Sequence, residues 1–180
     1  MLGLKRGKVE LLPHDKEWKR EAQRIIATLY EVLKTAAVKI EHVGSTAIQY
    51  IHAKPIIDVA VGCTNLNSIR ERNGELENND IIFRGSDVDG QLLYVCGDFD
   101  ADTRYAHIHV VDYGGTAWNN YIDFRDYLNA FPQKAHEYDE LKMRLAIKYK
   151  DDRKAYTDGK AEFIDRILIE ARSARKQGLI

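Results

Sequence analysis

The segment from Glu41 to Gly62, EHVGSTAIQYIHAKPIIDVAVG, contains the residue types best suited to hold a charged ligand. A strand that ends in Gly44-Ser45 would let backbone N–H groups and a hydroxyl face the ligand, because glycine has no side chain to block approach. A helix opening at Thr46 or Ala47 would add the partial positive charge of its free N–H groups, which favours phosphate. The alternative is that Gly-Ser forms only a turn with a helix cap.

A carboxylate, Asp58, lies in the middle of the otherwise apolar run Ile56–Gly62. A buried and unpaired acid costs on the order of several kcal/mol, so Asp58 needs a cation, an ion-pair partner or access to water. One interpretation is a buried ion pair with Lys54 or with an arginine. The other is a hard cation such as Mg²⁺ shared with ligand phosphates, since Mg²⁺ prefers carboxylate oxygens and rarely has an all-protein cage.

Two histidines, His107 and His109, alternate along a predicted strand and therefore share one face of it. From a neighbouring strand, they would complete a metal site with Asp58 or act as a general base, and two imidazoles with a carboxylate suit Zn²⁺, Mn²⁺ or Fe²⁺. The alternatives are a polar sheet face or hydrogen bonds to Glu41 and Asp58. His42, beside the Gly-Ser turn, would be a phosphate donor or a satisfied histidine at a strand end.

The elements that position these side chains follow from hydrophobic periodicity. Residues 14–35 predict a helix capped by Asp15, whose apolar stripe consists of Trp18, Ala22, Ile25, Leu29 and Leu33. Five strands are predicted, at Val38–Val43, Ile56–Gly62, Ile81–Arg84, Gln91–Val95 and His107–Tyr113. The third and fourth form a hairpin across the loop GSDVDG.

The remaining segments are polar or helical. Asn65–Glu77 predicts a polar helix, and residues 97–105 predict a loop. From Thr116 the pattern is helical, with one helix up to Pro132 and then two amphipathic segments, either broken near Gly159 or continuous across it. This order predicts an α+β fold, a mixed β-sheet with helices packed behind it and a helical C-terminal portion. We expect a single domain over 1–180, sheet-bearing over about 1–115 and helical over about 116–180.

Composition excludes several classes of protein. The 28 acidic and 27 basic residues give a net charge of −1, so nonspecific nucleic-acid binding is not expected and an anionic ligand must be met by local placement. No apolar run approaches the roughly 18 residues of a membrane span, and the first ten residues lack the apolar core of a signal peptide. The two cysteines, Cys63 and Cys96, form no framework, which predicts a cytoplasmic protein without membrane association.

GST followed by KPIID resembles the GrpB family of the nucleotidyltransferase superfamily. Further matches are PHDKEW before the first helix, HIHVV, FRDYL around Arg125, EYDELK with Lys142, and the later Lys160. The resemblance covers roughly residues 9–165. It implies a nucleotidyltransferase-like fold, in which Gly-Ser holds nucleotide phosphates and carboxylates on the next strand bind a divalent cation, Mg²⁺ or Mn²⁺.

The sequence departs from that motif at one position. The superfamily places a second acid two residues after the first, but Ala60 stands there. A single carboxylate cannot by itself hold both the attacking and the leaving oxygen through metal ions. Either another residue supplies the ligand, with His107 and His109 as substitutes, or the fold binds nucleotide without transferring it.

Basic residues complete the candidate site. Lys54 precedes the strand of Asp58 and Arg104 precedes the strand of the histidines, so both are candidates to reach a phosphate. The family resemblance adds Arg125, Lys142 and Lys160, for which the alternative is a solvated helix face. The aromatic residues of the C-terminal part are expected to pack rather than to stack on a base: Tyr121, Phe124, Tyr138, Tyr149 and Tyr156.

Three functions remain open. The first is a nucleotidyl- or phosphoryl-transferase of a nucleotide or phosphorylated small molecule, with Asp58, His107 and His109 as catalytic and metal-binding residues. The second is a non-catalytic nucleotide-binding module, since some GrpB relatives are joined to dephospho-coenzyme A kinase. The third is a metal-dependent hydrolase that uses the same three residues.

Overall fold

A computed structural model describes residues 2–86 and 90–180 of the chain. Its main sheet has five strands: β2 (Ala37–Val43), β3 (Ile57–Cys63), β4 (Ile82–Gly85), β5 (Gln91–Cys96) and β7 (Ala106–Asp112). The strand order is β2-β3-β7-β5-β4, with β3 and β7 parallel and the other neighbours antiparallel. The predicted mixed sheet is confirmed, and each predicted strand agrees to within one residue at either end. Residues 87–89 of the predicted hairpin loop lie outside the described residues.

A second, smaller sheet joins two distant parts of the chain. It pairs β1 (Leu4–Lys5) antiparallel with β6 (Thr103–Arg104). The prediction of a loop over 97–105 is therefore wrong at its end. A strand of two residues shows no alternation along the sequence, so its long-range pairing had no local signal.

The first helix, α1 (Glu17–Leu33), covers one face of the sheet. It begins where Asp15 Oδ1 accepts a hydrogen bond from the backbone N–H of Glu17 at 2.9 Å, so Asp15 caps the helix as predicted. Its buried stripe packs into a core with the side chains of β3 and β7 that point the same way, among them Ile57, Val59 and Ile108. This core holds α1 against the back of the sheet.

The predicted polar helix over 65–77 is instead two short helices, α2 (Leu66–Arg70) and α3 (Asn73–Glu77). Each places one apolar residue in the core, Ile69 in α2 and Leu76 in α3. The two residues are seven positions apart, the spacing that places side chains on one side of a helix, and both reach the core although the helix is broken between them.

The C-terminal part is helical, with α4 (Thr116–Ala130), α5 (Pro132–Lys148), α6 (Arg153–Asp158) and α7 (Ala161–Lys176). Of the two alternatives at Gly159, the break is the one found, because it separates α6 from α7, and a second break that was not predicted separates α5 from α6. Trp118 of α4 packs on Val43, Ala60 and Val111, which point away from α1 because side chains alternate along a strand. The C-terminal helices therefore cover the second face of the sheet, and the expected α+β class is confirmed.

None of the helices in the described part of the chain is both long and apolar enough to cross a membrane.

Candidate functional site

The Gly-Ser turn lies directly against Asp58. Val43, the last residue of β2, pairs with Asp58 of β3, and Gly44 then turns the chain with φ of +68°. A Cβ at Gly44 would lie 2.5 Å from Asp58 Oδ2, so only glycine allows this approach.

The turn that follows is a single 3-10 turn over Ser45–Ala47, so of the two alternatives the turn forms and the α-helix at Thr46 or Ala47 does not. The Ala47 N–H bonds to Gly44 O at 3.1 Å, and Thr46 Oγ1 pairs with His42 Nε2 at 2.9 Å. Of the residues of this turn that were expected to bind a phosphate, Gly44, Ser45 and Thr46 all line the cavity described below.

The parallel pairing of β3 with β7 brings Asp58, His107 and His109 together. Asp58 is in register with His107, and Asp58 Oδ1 lies 3.3 Å from His107 Nδ1 and 3.5 Å from His109 Nε2. One ligand atom from each residue lies within 4.8 Å of the other two. Metal bonds of about 2.0–2.2 Å place ligand atoms roughly 3–4 Å apart, so small side-chain rotations would fit these residues around one cation.

The two histidines keep Asp58 ionised. Burial by itself would raise the pKa of Asp58, but hydrogen bonds with His107 and His109 lower it well below its ordinary range. The carboxylate side chain is 30% exposed, and this exposed part faces the cavity rather than the core. An ionised, accessible carboxylate beside two imidazoles offers ligand types that bind divalent metal ions.

Position 60, where the superfamily places its second acid, is closed. Ala60 is in register with His109 but has no exposed surface, because Val43, Val111 and Trp118 cover it. The nearby Gly62 leaves room for the same tryptophan, since a Cβ there would lie 2.9 Å from the Trp118 ring. The carboxylate of β3 that faces the cavity is therefore Asp58.

A cavity of about 820 Å³ opens between this face of the sheet and the C-terminal helices. Gly44, Ser45, Asp58 and the two histidines line its floor. Ala117, Tyr121 and Phe124 of α4 and Ile164 and Leu168 of α7 give it an apolar wall. Its cationic lining consists of Lys54, Lys142, Arg153 and Lys160.

Three of these cations, Lys54, Arg153 and Lys160, lie near one another and near Asp58. The ammonium groups of Lys54 and Lys160 lie 5.4 and 4.6 Å from the centre of the Tyr156 ring. Burial, together with the charges of Arg153 and Lys160, lowers the pKa of Lys54 to about 7 against the opposing charge of Asp58. Burial likewise lowers the pKa of Lys160, against the charge of Asp58. Such a cluster favours an anionic guest that would neutralise it.

Lys142 reaches the cavity but is committed to the protein. Its side chain is 1% exposed, its Nζ donates to His52 O, and Asp139 Oδ1 lies 3.5 Å away. Its pKa is lowered to about 8, because the effect of burial exceeds the opposing effect of Asp139.

The other predicted phosphate ligands do not line the cavity. Arg125 donates to Glu41 Oε2 at 2.8 Å and to His42 O at 3.0 Å. Arg104 is buried, bonds to Thr103 O and stacks 4.2 Å from the centre of the Phe99 ring. Burial lowers the pKa of His42 to about 4, so this histidine is neutral and pairs with Thr46.

Sequence reasoning missed Arg153, although a signal was present. Arg153, Thr157 and Lys160 follow one another at helical spacing and all three line the cavity. It also missed Gln91, at the start of β5, and Asn120, on α4. The aromatic residues were expected only to pack, and Tyr138 and Tyr156 are indeed buried, yet both also line the cavity with Tyr121 and Phe124.

Sequence comparison identifies relatives along nearly the whole chain. A family model described as GrpB protein matches residues 8–170. The protein described as glutamate-rich protein GrpB of Alkalihalophilus pseudofirmus is 39% identical over 173 residues, which cover 94% of this chain and 99% of that protein. A dephospho-CoA kinase of Mycolicibacterium paratuberculosis is 36% identical over 69 residues, only 37% of this chain and 17% of that protein.

Structure comparison agrees. The crystal structure of the conserved protein GrpB from Enterococcus faecalis superposes with a TM-score of 0.83 at 27% identity, covering 90% of this chain and 96% of that one. The structure of Cid1 in complex with its short product ApU superposes with a TM-score of 0.52 at 12% identity, covering 75% of this chain and 42% of that one. The second likeness shows the nucleotidyltransferase-like fold.

Proposed function

The chain belongs to the GrpB family, and we propose that it binds a nucleotide or another phosphorylated small molecule, together with a divalent cation, between its sheet and C-terminal helices. The observation that carries the proposal is that Asp58, His107 and His109 share one cavity with Lys54, Arg153 and Lys160. A metal-ligand group beside a cluster of cations suits a ligand with several phosphate charges.

Each group has a distinct role in this proposal. Asp58, His107 and His109 would hold Mg²⁺ or Mn²⁺, which when bound supplies positive charge to phosphate oxygens. The Ser45 hydroxyl and the ammonium groups of Lys54 and Lys160 contact the phosphates. The apolar wall of α4 and α7 receives the uncharged part of the ligand, as a base requires.

The reaction that this arrangement supports best is nucleotidyl or phosphoryl transfer. His107 or His109 would either complete the metal-ligand group or serve as the general base that takes a proton from an attacking hydroxyl. Solved structures of Cid1, which shares the fold, are described with the product ApU and with MgGTP. These complexes support a nucleotide as the ligand class here.

The test is the thermal stability of the purified protein with ATP, GTP, CTP and UTP, each in Mg²⁺ and in Mn²⁺. A ligand that binds only the folded state raises the free energy of unfolding, by about 2.7 kcal/mol at a ligand concentration 100 times the dissociation constant. The melting temperature rises as a result. At least one triphosphate is expected to stabilise the protein in a metal-dependent manner. No shift with any of them in either metal would refute the proposal.

A non-catalytic binding module is the second candidate, and the closed position at Ala60 favours it. With a single carboxylate on β3, ligand binding would persist without turnover, and a partner enzyme such as dephospho-coenzyme A kinase would use the bound state. The short match to such a kinase is consistent with this link. Transfer of label from an α-labelled nucleotide, abolished by Asp58→Asn, would exclude it.

A metal-dependent hydrolase is the third candidate, and its support is the pair of imidazoles. A site of two histidines and one carboxylate selects transition metals more readily than Mg²⁺. Metal analysis of the protein decides this case. A protein that contains no transition metal, and that gains no hydrolytic activity when Zn²⁺, Mn²⁺ or Fe²⁺ is added, is not such a hydrolase.

A further inference from the structure

The connecting segment, residues 48–54, joins the Ser45 turn to β3 and forms neither a helix nor a regular strand. Its backbone is therefore held by other means. Asn129 of α4 accepts from the Gln49 N–H at 3.1 Å and donates to Ala47 O at 3.0 Å. A single bridge pairs Ala53 with Leu12. Ser45, in the turn before the segment, and Lys54, its last residue, line the same cavity.

The middle of the connecting segment is held by α5 through His52. Asp139 Oδ1 accepts from the His52 backbone N–H at 2.7 Å, and Asp139 Oδ2 pairs with His52 Nδ1 at 2.8 Å. Lys142, one turn further along α5, donates to the His52 carbonyl. Both backbone polar groups of His52 are thus satisfied by one acid–base pair on a single helix.

We propose that Asp139 and Lys142 are positioning residues, a clamp that fixes His52 so that Ser45 and Lys54 face the same phosphate. The inference rests on the proposed phosphate site and assigns Lys142 a role other than phosphate ligand. Two features carry it: the Lys142 side chain is 1% exposed, and its charge is matched by Asp139 at 3.5 Å. Lys160 provides the contrast, because it lies in the cavity within the field of the metal-facing Asp58.

The clamp itself is tested without any ligand, by hydrogen–deuterium exchange of the full chain. Asp139→Asn weakens both contacts to His52, and Lys142→Met removes the donor to its carbonyl. Both variants should show faster exchange in peptides that cover residues 48–54, and exchange in the peptides of β3 and β7 should stay the same. His52→Ala, which keeps the backbone contacts, should have a smaller effect, and Lys148→Met on the exposed end of α5 should have none. Unchanged exchange over 48–54 in Asp139→Asn and Lys142→Met would overturn the clamp.

The positioning role is tested with inorganic phosphate and inorganic tripolyphosphate in Mn²⁺, well below the melting temperature of every variant. A clamp acts on the geometry of the site, so Asp139→Asn and Lys142→Met should each lower the affinity for both probes by the same factor. We expect a factor of about ten, the size of the loss when a supporting residue is removed at a metal site. The double variant should bind both probes no more weakly than the single variant with the larger loss of affinity, because both residues act through His52. Lys160→Met should lower the affinity for tripolyphosphate more than the affinity for phosphate.

A contrary result has a clear form. If Lys142→Met weakens tripolyphosphate selectively, and Asp139→Asn leaves the affinity unchanged, Lys142 is a phosphate ligand and the positioning role is wrong. If the wild-type protein binds neither probe in Mn²⁺, the proposed phosphate site fails and the positioning role fails with it. The exchange experiment then still decides whether the clamp exists as a structural device.

Discussion

Asp58 and His107 occupy the same register position on two parallel strands, with Asp58 Oδ1 3.3 Å from His107 Nδ1. The two residues are far apart in sequence and meet only because β7 is inserted beside β3. His109 then falls on the same face, one pleat further along. This pairing turns two ordinary sequence features, an acid in an apolar strand and a His-x-His, into one possible metal-ligand group.

Asp58→Asn should abolish metal binding with little change in fold. The amide keeps the volume of the carboxylate but loses its charge, and Mn²⁺ affinity should fall by more than about 100-fold, since loss of even an outer partner costs about 10–100-fold. Isothermal titration with Mn²⁺ and Zn²⁺ measures this.

Asp112→Asn is the matched control, because Asp112 is exposed on β7 and lies outside the cavity lining. It should bind both metals as the wild-type protein does. Equal affinity of Asp58→Asn and wild type for both ions would remove Asp58 from the metal site.

The strands and α1 could be predicted from the sequence because their signals are local. Alternating β-branched residues define β2, β3 and β7, and an apolar stripe ending in Leu33 defines α1. The face shared by His107 and His109 also followed from alternation. Their approach to Asp58 did not, since no local pattern states which strands are neighbours or that β3 and β7 are parallel.

The roles of the basic residues were the least predictable part of the site. Arg104, Arg125 and Lys142 are basic residues like Lys54 and Lys160, but the first three are engaged by protein groups. Which of these contacts forms depends on tertiary packing.

Gly44→Ala should be destabilising and should also weaken metal binding. The substitution places a Cβ 2.5 Å from Asp58 Oδ2, and the positive φ of Gly44 adds strain. We expect a loss of more than about 3 kcal/mol in the free energy of unfolding, since backbone strain alone costs about 1–3 kcal/mol. Urea denaturation and Mn²⁺ titration measure the two effects.

Gly114→Ala separates strain from contact. Gly114 has φ of +74°, but a Cβ there would meet nothing within 4 Å. This variant should lose only the cost of backbone strain and keep the metal affinity of the wild type. If both variants lose the same stability and neither loses metal affinity, the close approach to Asp58 is unimportant.

Lys54→Met should stabilise the protein near neutral pH. Burial, helped by Arg153 and Lys160, lowers the pKa of Lys54 from 10.5 to about 7. Between these values the unfolded chain holds a proton that the folded chain has released, so this lysine makes stability rise with pH across that window. The variant should therefore exceed the wild type most at about pH 6, and the difference should shrink towards about pH 10.

The same lysine should make phosphate binding pH-dependent. Tripolyphosphate affinity of the wild type, measured with Mn²⁺, should fall from about pH 6 to pH 8 as Lys54 loses its charge, and Lys54→Met should show a flatter profile. Lys148→Met, at an exposed position on α5, should follow the wild type in both experiments. A pH profile that is identical in Lys54→Met and wild type would show that Lys54 does not contact the ligand.

Ala60→Asp would restore the acid that the superfamily motif has at this position, and it should fail to create a second metal ligand. Ala60 has no exposed surface and lies under Trp118, Val43 and Val111, so the new carboxylate would be buried among apolar groups. We expect a loss of several kcal/mol in the free energy of unfolding, on the order of the cost of an unpaired buried charge.

Ala60→Val separates the effect of volume from that of charge, because overpacking alone costs about 1–3 kcal/mol. Denaturation of both variants, with and without Mn²⁺, tests this. If Mn²⁺ restores the stability of Ala60→Asp to that of the wild type, the new carboxylate reaches the ion, Trp118 yields, and the single-carboxylate site is not fixed by packing.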